Sequence, residues 1–333
     1  MTGRRHQIVG TRRIQRARVY ILTAVNLQQF RYLREAVRQK LNLTEAAKAL
    51  HTSQPGVSKA IIELEDELGL SIFARHGKRI LGLTPPGQQV LDAAERIMTE
   101  IDNLKKLARD YAGSPEGTLR LATTHTQARY VLPPVVQRFA EKFPQVRVKL
   151  LQGSPPQIAA MLIAGQADLG MATETLADAA GLKSIPVLEW EHVVVVRTGH
   201  PLARFARHPE RLTLKELAKY PIVTYESHFS GRSLIDRAFA AAGIEPSIVL
   251  EAIDADVIKT YVVAGMGVGI VADLATQNQS EDLISLKCGM HLFGRNTTRL
   301  AVKQGAYLRG FVYEFIEMVA PGWDRRRVEQ TLG

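Results

Sequence analysis

The segment from Asn42 to Leu68 constrains this chain most, because its cap residues and apolar spacing predict two short helices joined by a tight turn. Asn42 is a good N-cap, and Glu45 stands three residues later, at the capping-box position. Ser53 is a second N-cap, and Pro55 falls in the first turn, where its missing N–H costs no hydrogen bond. The residues predicted to face inward are Leu43, Ala46, Ala47 and Leu50 on the first helix, and Val57, Ile61, Leu64 and Leu68 on the second.

The outer face of the second predicted helix is polar near its start. In a helix-turn-helix motif, such positions meet base edges and phosphates in the major groove. A short basic loop follows at 73–79, which is the layout of a winged helix whose wing lies against the DNA backbone. The alternative is an ordinary helical hairpin with a solvated polar face. The residues predicted to contact DNA are Thr52, Ser53, Gln54, Pro55, Ser58, Lys59, Arg75 and Lys78.

The positive charge of the chain is concentrated at its N-terminal end. Of a net charge of +10, residues 1–25 carry +6 and residues 26–83 carry +3, so the remaining 250 residues contribute only +1. Such asymmetry indicates a polyanion as the partner of the N-terminal end. We expect residues 1–25 to be a disordered basic arm, and we hypothesise that translation starts at Val25, read as methionine.

Composition indicates a cytoplasmic globular protein. The chain is 46% hydrophobic and 23% charged, and no run reaches the roughly 18 apolar residues of a membrane span. The single cysteine, Cys288, excludes an internal disulfide and fits a reducing compartment. We therefore expect no membrane partner.

After the predicted DNA-binding domain at 26–83, a long helix is predicted over 84–112. Its apolar residues repeat at four-three spacing, which is typical of a dimerisation helix. The alternative is a surface helix that lies on its own domain. Residues 113–117 would form a flexible joint. The heptad residues are Val90, Ala94, Ile97, Ile101, Leu104, Ala108 and Tyr111.

From Thr118 onward, predicted strands alternate with predicted helices, so the fold class is α/β with parallel pairing. We predict a domain at 117–322 with two lobes, about 117–185 plus 290–322, and 186–289. The chain would cross between the lobes near 185–188 and 286–292. A helix is predicted over 127–142, and the last helix over 308–319.

Signals for catalysis are weak. The chain has no G-x-S-x-G, no H-E-x-x-H and no cysteine–histidine cluster with zinc spacing. The glycines at 265–269 follow a helix and precede a strand, which is the reverse of a dinucleotide-binding turn. We predict neither an enzyme nor a cofactor. A transport-type binding protein or an acyl-transfer enzyme remain alternatives.

Hydroxyl-bearing residues follow three predicted strands of the first lobe. They are Thr124, Thr126 and Gln127 after the first strand, Ser154 after the second and Thr173 after the third. The carboxyl ends of parallel strands share one sheet edge, where α/β domains place ligands. These positions suit a small polar or anionic ligand, although ordinary helix caps would look the same.

The segment TSQPGVSKAIIELEDELGLSIFAR at 52–75 resembles the N-terminal signature of the LysR-type transcriptional regulators. The resemblance continues to the C-terminus. It implies a winged helix-turn-helix, a linker helix and an effector domain similar to periplasmic binding proteins. The implied partners are promoter DNA, a small-molecule effector, RNA polymerase and other copies of the chain in a homodimer or homotetramer.

Three further segments resemble the CysB group of that family: ATTHTQARYVLPP at 122–134, ATE at 172–174 and DADVIKTYV at 254–262. That resemblance implies control of sulfur assimilation and cysteine biosynthesis in response to N-acetylserine or a sulfur oxyanion. It implies that Thr124, Thr126, Gln127 and Thr173 hold the ligand and that Trp190 lines the cleft. Where the group has a binding threonine in the second lobe, this chain has Glu226, which disfavours plain sulfate. A regulator of another pathway, such as organosulfur use, is the alternative.

Overall fold

The computed structural model describes residues 25–77, 79–111, 116–173, 176–229, 231–277 and 280–332. The chain divides into two compact units between Lys105 and Lys106. The arm up to residue 24, Lys78 and residues 113–115 of the predicted joint lie outside the described residues. The division predicted at 83 and 112 stays a prediction.

The N-terminal unit is a helix-turn-helix followed by a two-stranded wing, as predicted. A long helix, α4, follows the wing and continues past the boundary between the units. The elements are α1 (Leu27–Arg38), α2 (Leu43–Ala49), α3 (Gln54–Leu68), the antiparallel strands β1 (Phe73–His76) and β2 (Arg79–Leu83), and α4 (Pro85–Tyr111).

Local side-chain chemistry starts and ends the two motif helices. The Asn42 side chain accepts hydrogen bonds from the N–H groups of Thr44 and Glu45 at 3.1 and 3.2 Å, and so caps α2. Glu45 does not complete the predicted capping box. Its carboxylate pairs instead with Lys48 Nζ at 2.8 Å. Ser53 caps α3, and Gly69, with a φ of 67°, ends it.

The predicted apolar stripes form the core of this unit. Ala46 and Ala47 of α2 are buried, as are Val57, Ile61 and Leu64 of α3. Leu43, Leu50 and Leu68 pack against the same core and are partly buried. The small alanines let α3 cross α2 closely, which places the start of α3 on the surface.

The C-terminal unit is a mixed α/β structure with the two predicted lobes. Its strands are β3 (Gly117–Thr123), β4 (Val146–Gln152), β5 (Leu169–Ala172), β6 (Leu182–Arg197), β7 (Ile222–Tyr225), β8 (Ile248–Ala252), β9 (Val268–Ala272), β10 (Leu283–Leu286) and β11 (Arg295–Lys303). Its helices are α5 (His125–Tyr130), α6 (Leu132–Lys142), α7 (Pro155–Ile163), α8 (Leu214–Leu217), α9 (Arg232–Ala241), α10 (Ala255–Val263), α11 (Gly289–Phe293), α12 (Gly310–Val319) and α13 (Arg325–Leu332). No helix among the described residues has the length and apolar character needed to cross a membrane.

Two long antiparallel strands join the lobes. The strand order is β4-β3-β5-β11-β6-β9-β7-β8, with β10 beside β6. Pairing is parallel within β4-β3-β5 and within β9-β7-β8, as predicted. The crossing strands β6 and β11 pair with each other in the antiparallel direction, which the predicted alternation did not include.

Three predicted elements need correction. The helix predicted over 127–142 breaks at Val131, because Pro133 and Pro134 favour a new helix start over a continued one. The second crossing is β11 rather than 286–292, since Leu286 and Phe293 pack in the core of the second lobe. The chain also ends in α13, beyond the helix predicted last.

Candidate DNA interface and effector site

The predicted DNA-contacting residues of α3 lie on one surface. Gln54, Pro55, Ser58 and Lys59 line a shallow groove at the start of the helix, together with Ile62 and Glu63. Thr52, Ser53, Gln54, Pro55 and Lys59 are exposed, and Ser58 is half-buried. Lys59 Nζ lies 3.7 Å from Glu63 in a solvent-exposed pair, which leaves the ammonium free to exchange partners.

Arg75 of the wing is held by a contact that the sequence pattern did not predict. Its guanidinium donates to Glu65 Oε2 at 3.0 Å. Glu65 Oε1 accepts the backbone N–H groups of Ile72 and Phe73 at 2.7 and 2.9 Å. The side chain of Arg75 is therefore oriented by α3, and 29% of it remains exposed.

In the C-terminal unit, the three hydroxyl-rich strand ends meet at one sheet edge, as predicted. Thr123 is in register with Gln152 of β4 and with Met171 of β5. The N–H of Gly153 donates to Thr123 O at 3.2 Å, so the residues just before Ser154 and Thr124 are hydrogen-bonded to each other. Ser154 and Thr173 are buried, with 8% and 4% exposure.

A buried chain of hydrogen bonds connects the first lobe to the crossing strands. The Thr124 hydroxyl donates to Gln127 Oε1. Gln127 Nε2 and Trp190 Nε1 each donate to Thr298 Oγ1 at 3.1 Å. Both acceptor positions of the Thr298 hydroxyl are thus used. The four side chains are at most 3% exposed, so this polar chain is shielded from water.

Two contacts between the lobes lie near these hydrogen bonds. The Thr126 side chain hydrogen-bonds to the phenol of Tyr225 in the second lobe. That phenol also accepts the N–H of Ala272 at 3.1 Å, and burial raises the pKa of Tyr225. At the far end of α5, the Tyr130 hydroxyl donates to Asp256 Oδ1 at 2.7 Å.

The crossing strands add two buried polar side chains beside the chain of hydrogen bonds. Asn296 Nδ2 lies 3.3 Å from His192 Nδ1, and both residues are fully buried. Asn296 Oδ1 is buried without a hydrogen-bond partner, as is Nδ1 of His125 on α5. The group therefore combines neutral donors with at least one unused acceptor.

Glu226, which the resemblance places at the ligand, has local partners and is not among the hydrogen-bonded residues of this buried group. Its carboxylate lies 3.0 Å from His228 Nδ1 and 3.5 Å from Ser227 Oγ. Its side chain is 39% exposed. Two neighbouring residues in the loop after β7 thus give one oxygen of the Glu226 carboxylate its partners.

Sequence reasoning missed four residues of the buried group. Asn296 and Thr298 lie in a run of five polar residues at 295–299, so the sequence does not show which of them face inward; only the burial along β11 alternates. The other two are His192 and Tyr225, which lie among apolar strand residues and give no such signal.

A winged helix-turn-helix unit followed by a two-lobed α/β domain is the architecture of a ligand-responsive, DNA-binding transcriptional regulator. Comparison with known protein families supports this class. Residues 27–88 match the model of the bacterial regulatory helix-turn-helix protein, lysR family. Residues 112–324 match the LysR substrate binding domain. The chain belongs to the LysR family of transcriptional regulators and is CysB-like within it.

Membership in the LysR family makes the protein a transcriptional regulator and not an enzyme, and the relatives that it resembles carry regulator names. The chain is 54% identical to the HTH-type transcriptional regulator CysB of Burkholderia cenocepacia over 308 residues, 92% of this chain and 97% of that protein. It is 52% identical to the HTH-type transcriptional regulator SsuR of the same organism over 297 residues, 89% of this chain and 95% of that protein. The crystal structure of the cofactor-binding domain of the Cbl transcriptional regulator matches with a TM-score of 0.61 at 43% identity, covering 65% of this chain and 93% of that one.

Proposed function

We propose that this LysR-type regulator senses N-acetylserine or a sulfur oxyanion between its two lobes and thereby controls genes of sulfur assimilation and cysteine biosynthesis. The observation that carries the proposal is the buried chain Thr124–Gln127–Thr298–Trp190 at the edge where three strand ends meet. The resemblance to the CysB group supports the sulfur role.

The proposed ligand site consists of Thr124, Thr126, Gln127, Ser154, Thr173 and Trp190, joined by Thr298. These groups are neutral donors and acceptors, which bind a small anion through hydrogen bonds that shielding from water strengthens. Because Thr126 and Tyr130 of the first lobe contact the second lobe, a ligand bound here would favour the closed arrangement of the lobes. Ligand binding would thereby change the conformation of the regulator.

The proposed DNA contacts divide by chemistry. Gln54 and Ser58 would read base edges, and Lys59 and Arg75 would contact phosphates. Thr52, Ser53, Pro55 and Lys78 complete the proposed interface. We further propose that α4 pairs two copies of the chain in a cytoplasmic homodimer or homotetramer that acts with RNA polymerase.

A second candidate is a regulator of another pathway, such as organosulfur use. The chain is 54% identical to CysB and 52% identical to SsuR, so identity does not choose between regulators of different names. Footprinting on the promoters next to the gene separates the candidates by the genes that the protein occupies.

Isothermal calorimetry tests the ligand proposal. Wild-type protein should bind N-acetylserine and, more weakly, sulfate. Thr124→Ala should weaken both by roughly tenfold or more, because a hydrogen bond to a charged group is worth about 1.5–3 kcal/mol. The matched control is Thr118→Ala, at the exposed start of the same strand, which should bind as wild type does.

The outcomes separate the parts of the proposal. If wild-type protein bound neither ligand, the ligand class would be wrong. If Thr124→Ala and Thr118→Ala bound equally well, the site would lie elsewhere in the protein.

A further inference from the structure

Four buried polar side chains share one face of the two crossing strands. Trp190 and His192 lie on β6, and Asn296 and Thr298 lie on β11. Asn296 is paired with Trp190 across the strands, and residues two apart on a strand point to the same face. None of the four side chains is more than 3% exposed. The row therefore forms a polar strip in the region where the lobes are joined.

The strip reaches from one lobe to the other. At one end, Thr298 accepts hydrogen bonds from Gln127 of the first lobe and from Trp190. At the other end, Asn296 lies against Gly231, the residue that precedes α9 of the second lobe. A Cβ at position 231 would come within 2.1 Å of Asn296 Oδ1, so a larger residue there would force the Asn296 amide to move. Asn296 thus lies between the proposed site and the second lobe.

One atom of the strip has no protein partner. Asn296 Nδ2 faces His192 Nδ1 at 3.3 Å, but Asn296 Oδ1 is buried without a hydrogen bond. Burial of a carbonyl oxygen without a donor is unfavourable, and native proteins usually satisfy such atoms. Asn296 lies two residues from Thr298, which accepts a hydrogen bond from Gln127 of the proposed site, so a molecule bound there is the candidate for the missing donor.

We infer that Asn296 recognises an uncharged hydrogen-bond donor of the effector. Its Oδ1 accepts a hydrogen bond from an N–H or O–H of a ligand whose anionic end is held at Thr124 and Gln127. This inference rests on the proposed function and narrows its ligand class. Sulfate at neutral pH has acceptors only and cannot satisfy Asn296, whereas N-acetylserine has an amide N–H and a hydroxyl. Asn296 is then the hydrogen-bond acceptor for the ligand, which is the role expected for Glu226 from the sequence.

The first test uses wild-type protein and three ligands: N-acetylserine, its O-methyl derivative and its N-methyl derivative. Calorimetry should show that methylation of the donor read by Asn296 weakens binding by about tenfold, the usual size for a lost hydrogen bond in a buried site. Equal affinity for all three ligands overturns the inference. This test needs no variant that could misfold.

The second test uses Asn296→Leu, because leucine keeps the branched shape of asparagine and removes its amide. N-acetylserine should bind about tenfold more weakly to this variant, whereas sulfate binding should change by less than about threefold. Asn296→Leu should bind N-acetylserine and the methylated derivative that wild type binds more weakly with similar affinity. A steric effect of the methyl group would persist in the variant, so the comparison isolates the hydrogen bond.

Two controls accompany Asn296→Leu. Thr297→Val changes the neighbouring residue on the opposite face of β11, and Glu226→Gln removes the acceptor expected from the sequence. Both should leave the affinity for N-acetylserine within about twofold of wild type. If Asn296→Leu bound N-acetylserine as tightly as wild type does, water would be the partner of Oδ1 and the inference would be overturned. An equal loss of affinity for N-acetylserine and for sulfate would overturn it as well. Wild-type protein that bound neither ligand would instead refute the proposed function, and the inference with it.

Discussion

At the scale of single residues, Glu65 joins the recognition helix to the wing. One carboxylate oxygen accepts the N–H groups of Ile72 and Phe73, and the other accepts the guanidinium of Arg75. Arg75 keeps further N–H donors, since a guanidinium has five. It can therefore contact a phosphate while Glu65 holds its orientation. Substitution of Arg75 consequently affects the wing as well as the DNA contact.

Gln54→Ala should relax the choice of DNA sequence without loss of stability, because Gln54 is exposed at the start of α3. A base contact is worth about 1–3 kcal/mol at its own base pair. Arg75→Ala should instead weaken binding to all sequences alike and lower the salt slope by about one. Fluorescence anisotropy with operator and random DNA over a range of salt concentrations distinguishes the two effects.

The control for these variants is Gln88→Ala, which removes an exposed glutamine of α4 that bonds to Asp92. It should bind both DNAs as wild type does. Undiminished discrimination by Gln54→Ala would show that α3 does not read bases through this residue.

At the scale of elements, α4 has two apolar faces. Leu91, Ala94 and Met98 are buried within the N-terminal unit. The predicted heptad is divided between the two faces: Ala94 belongs to the buried one, whereas the other is more open, with an exposed fraction of 37% at Ile97, 63% at Leu104 and 86% at Tyr111. The alternative interpretation, a helix packed on its own domain, accounts for the first face only. The second face has the spacing for a partner helix.

Leu104→Glu should dissociate the proposed dimer, because two carboxylates would be buried at a two-fold seam. The site is better chosen than Ile101, which is half-buried and lines a groove with residues of α1. Leu104 is mostly exposed, so the monomer should keep its stability. Sedimentation velocity measures the mass, and thermal unfolding checks the fold.

The control is Arg96→Glu, an exposed position on the same helix but away from the heptad face, where the charge changes by two units instead of one. It should sediment as wild type does. If Leu104→Glu also kept its wild-type mass, α4 would not hold the oligomer.

At the scale of the whole molecule, α5 links the proposed ligand site to the closure of the lobes. The proposed ligand residues Thr126 and Gln127 lie on its first turn, and Tyr130 lies at its end. The Tyr130 hydroxyl bonds to Asp256, and Lys259 Nζ lies 3.1 Å from the same carboxylate. Burial alone would raise the pKa of Asp256, but the hydrogen bonds from Tyr130 and Lys259 hold it below its usual value. The charged form of Asp256 therefore favours closure.

Tyr130→Phe should lower effector affinity while the ring keeps its packing. The lost hydrogen bond is worth about 0.5–1.5 kcal/mol, so affinity should fall by roughly two- to tenfold if only the closed form binds well. Calorimetry with N-acetylserine measures the change. Tyr313→Phe on α12 is the matched control and should bind as wild type does. Unchanged affinity in Tyr130→Phe would show that this contact does not govern closure.

The features that sequence alone determined are those set by local chemistry. Asn42 and Ser53 cap their helices because a cap needs only a side chain and the next few N–H groups. Apolar spacing predicted the buried faces of α2 and α3. The positions of Thr124, Ser154 and Thr173 followed from strand ends, since parallel strands align their carboxyl ends whatever else surrounds them.

Other features depended on which distant segments meet. Gln127 and Thr298 are 171 residues apart, and they meet because β5 pairs with β3 on one side and with β11 on the other. Glu226 belonged to the predicted site by position, but its carboxylate has its hydrogen-bond partners in neighbouring Ser227 and His228. Sequence determined which residues carry polar groups at the sheet edge. Tertiary structure decided which of those groups face one another, because pairing and loop direction depend on contacts that no local pattern contains.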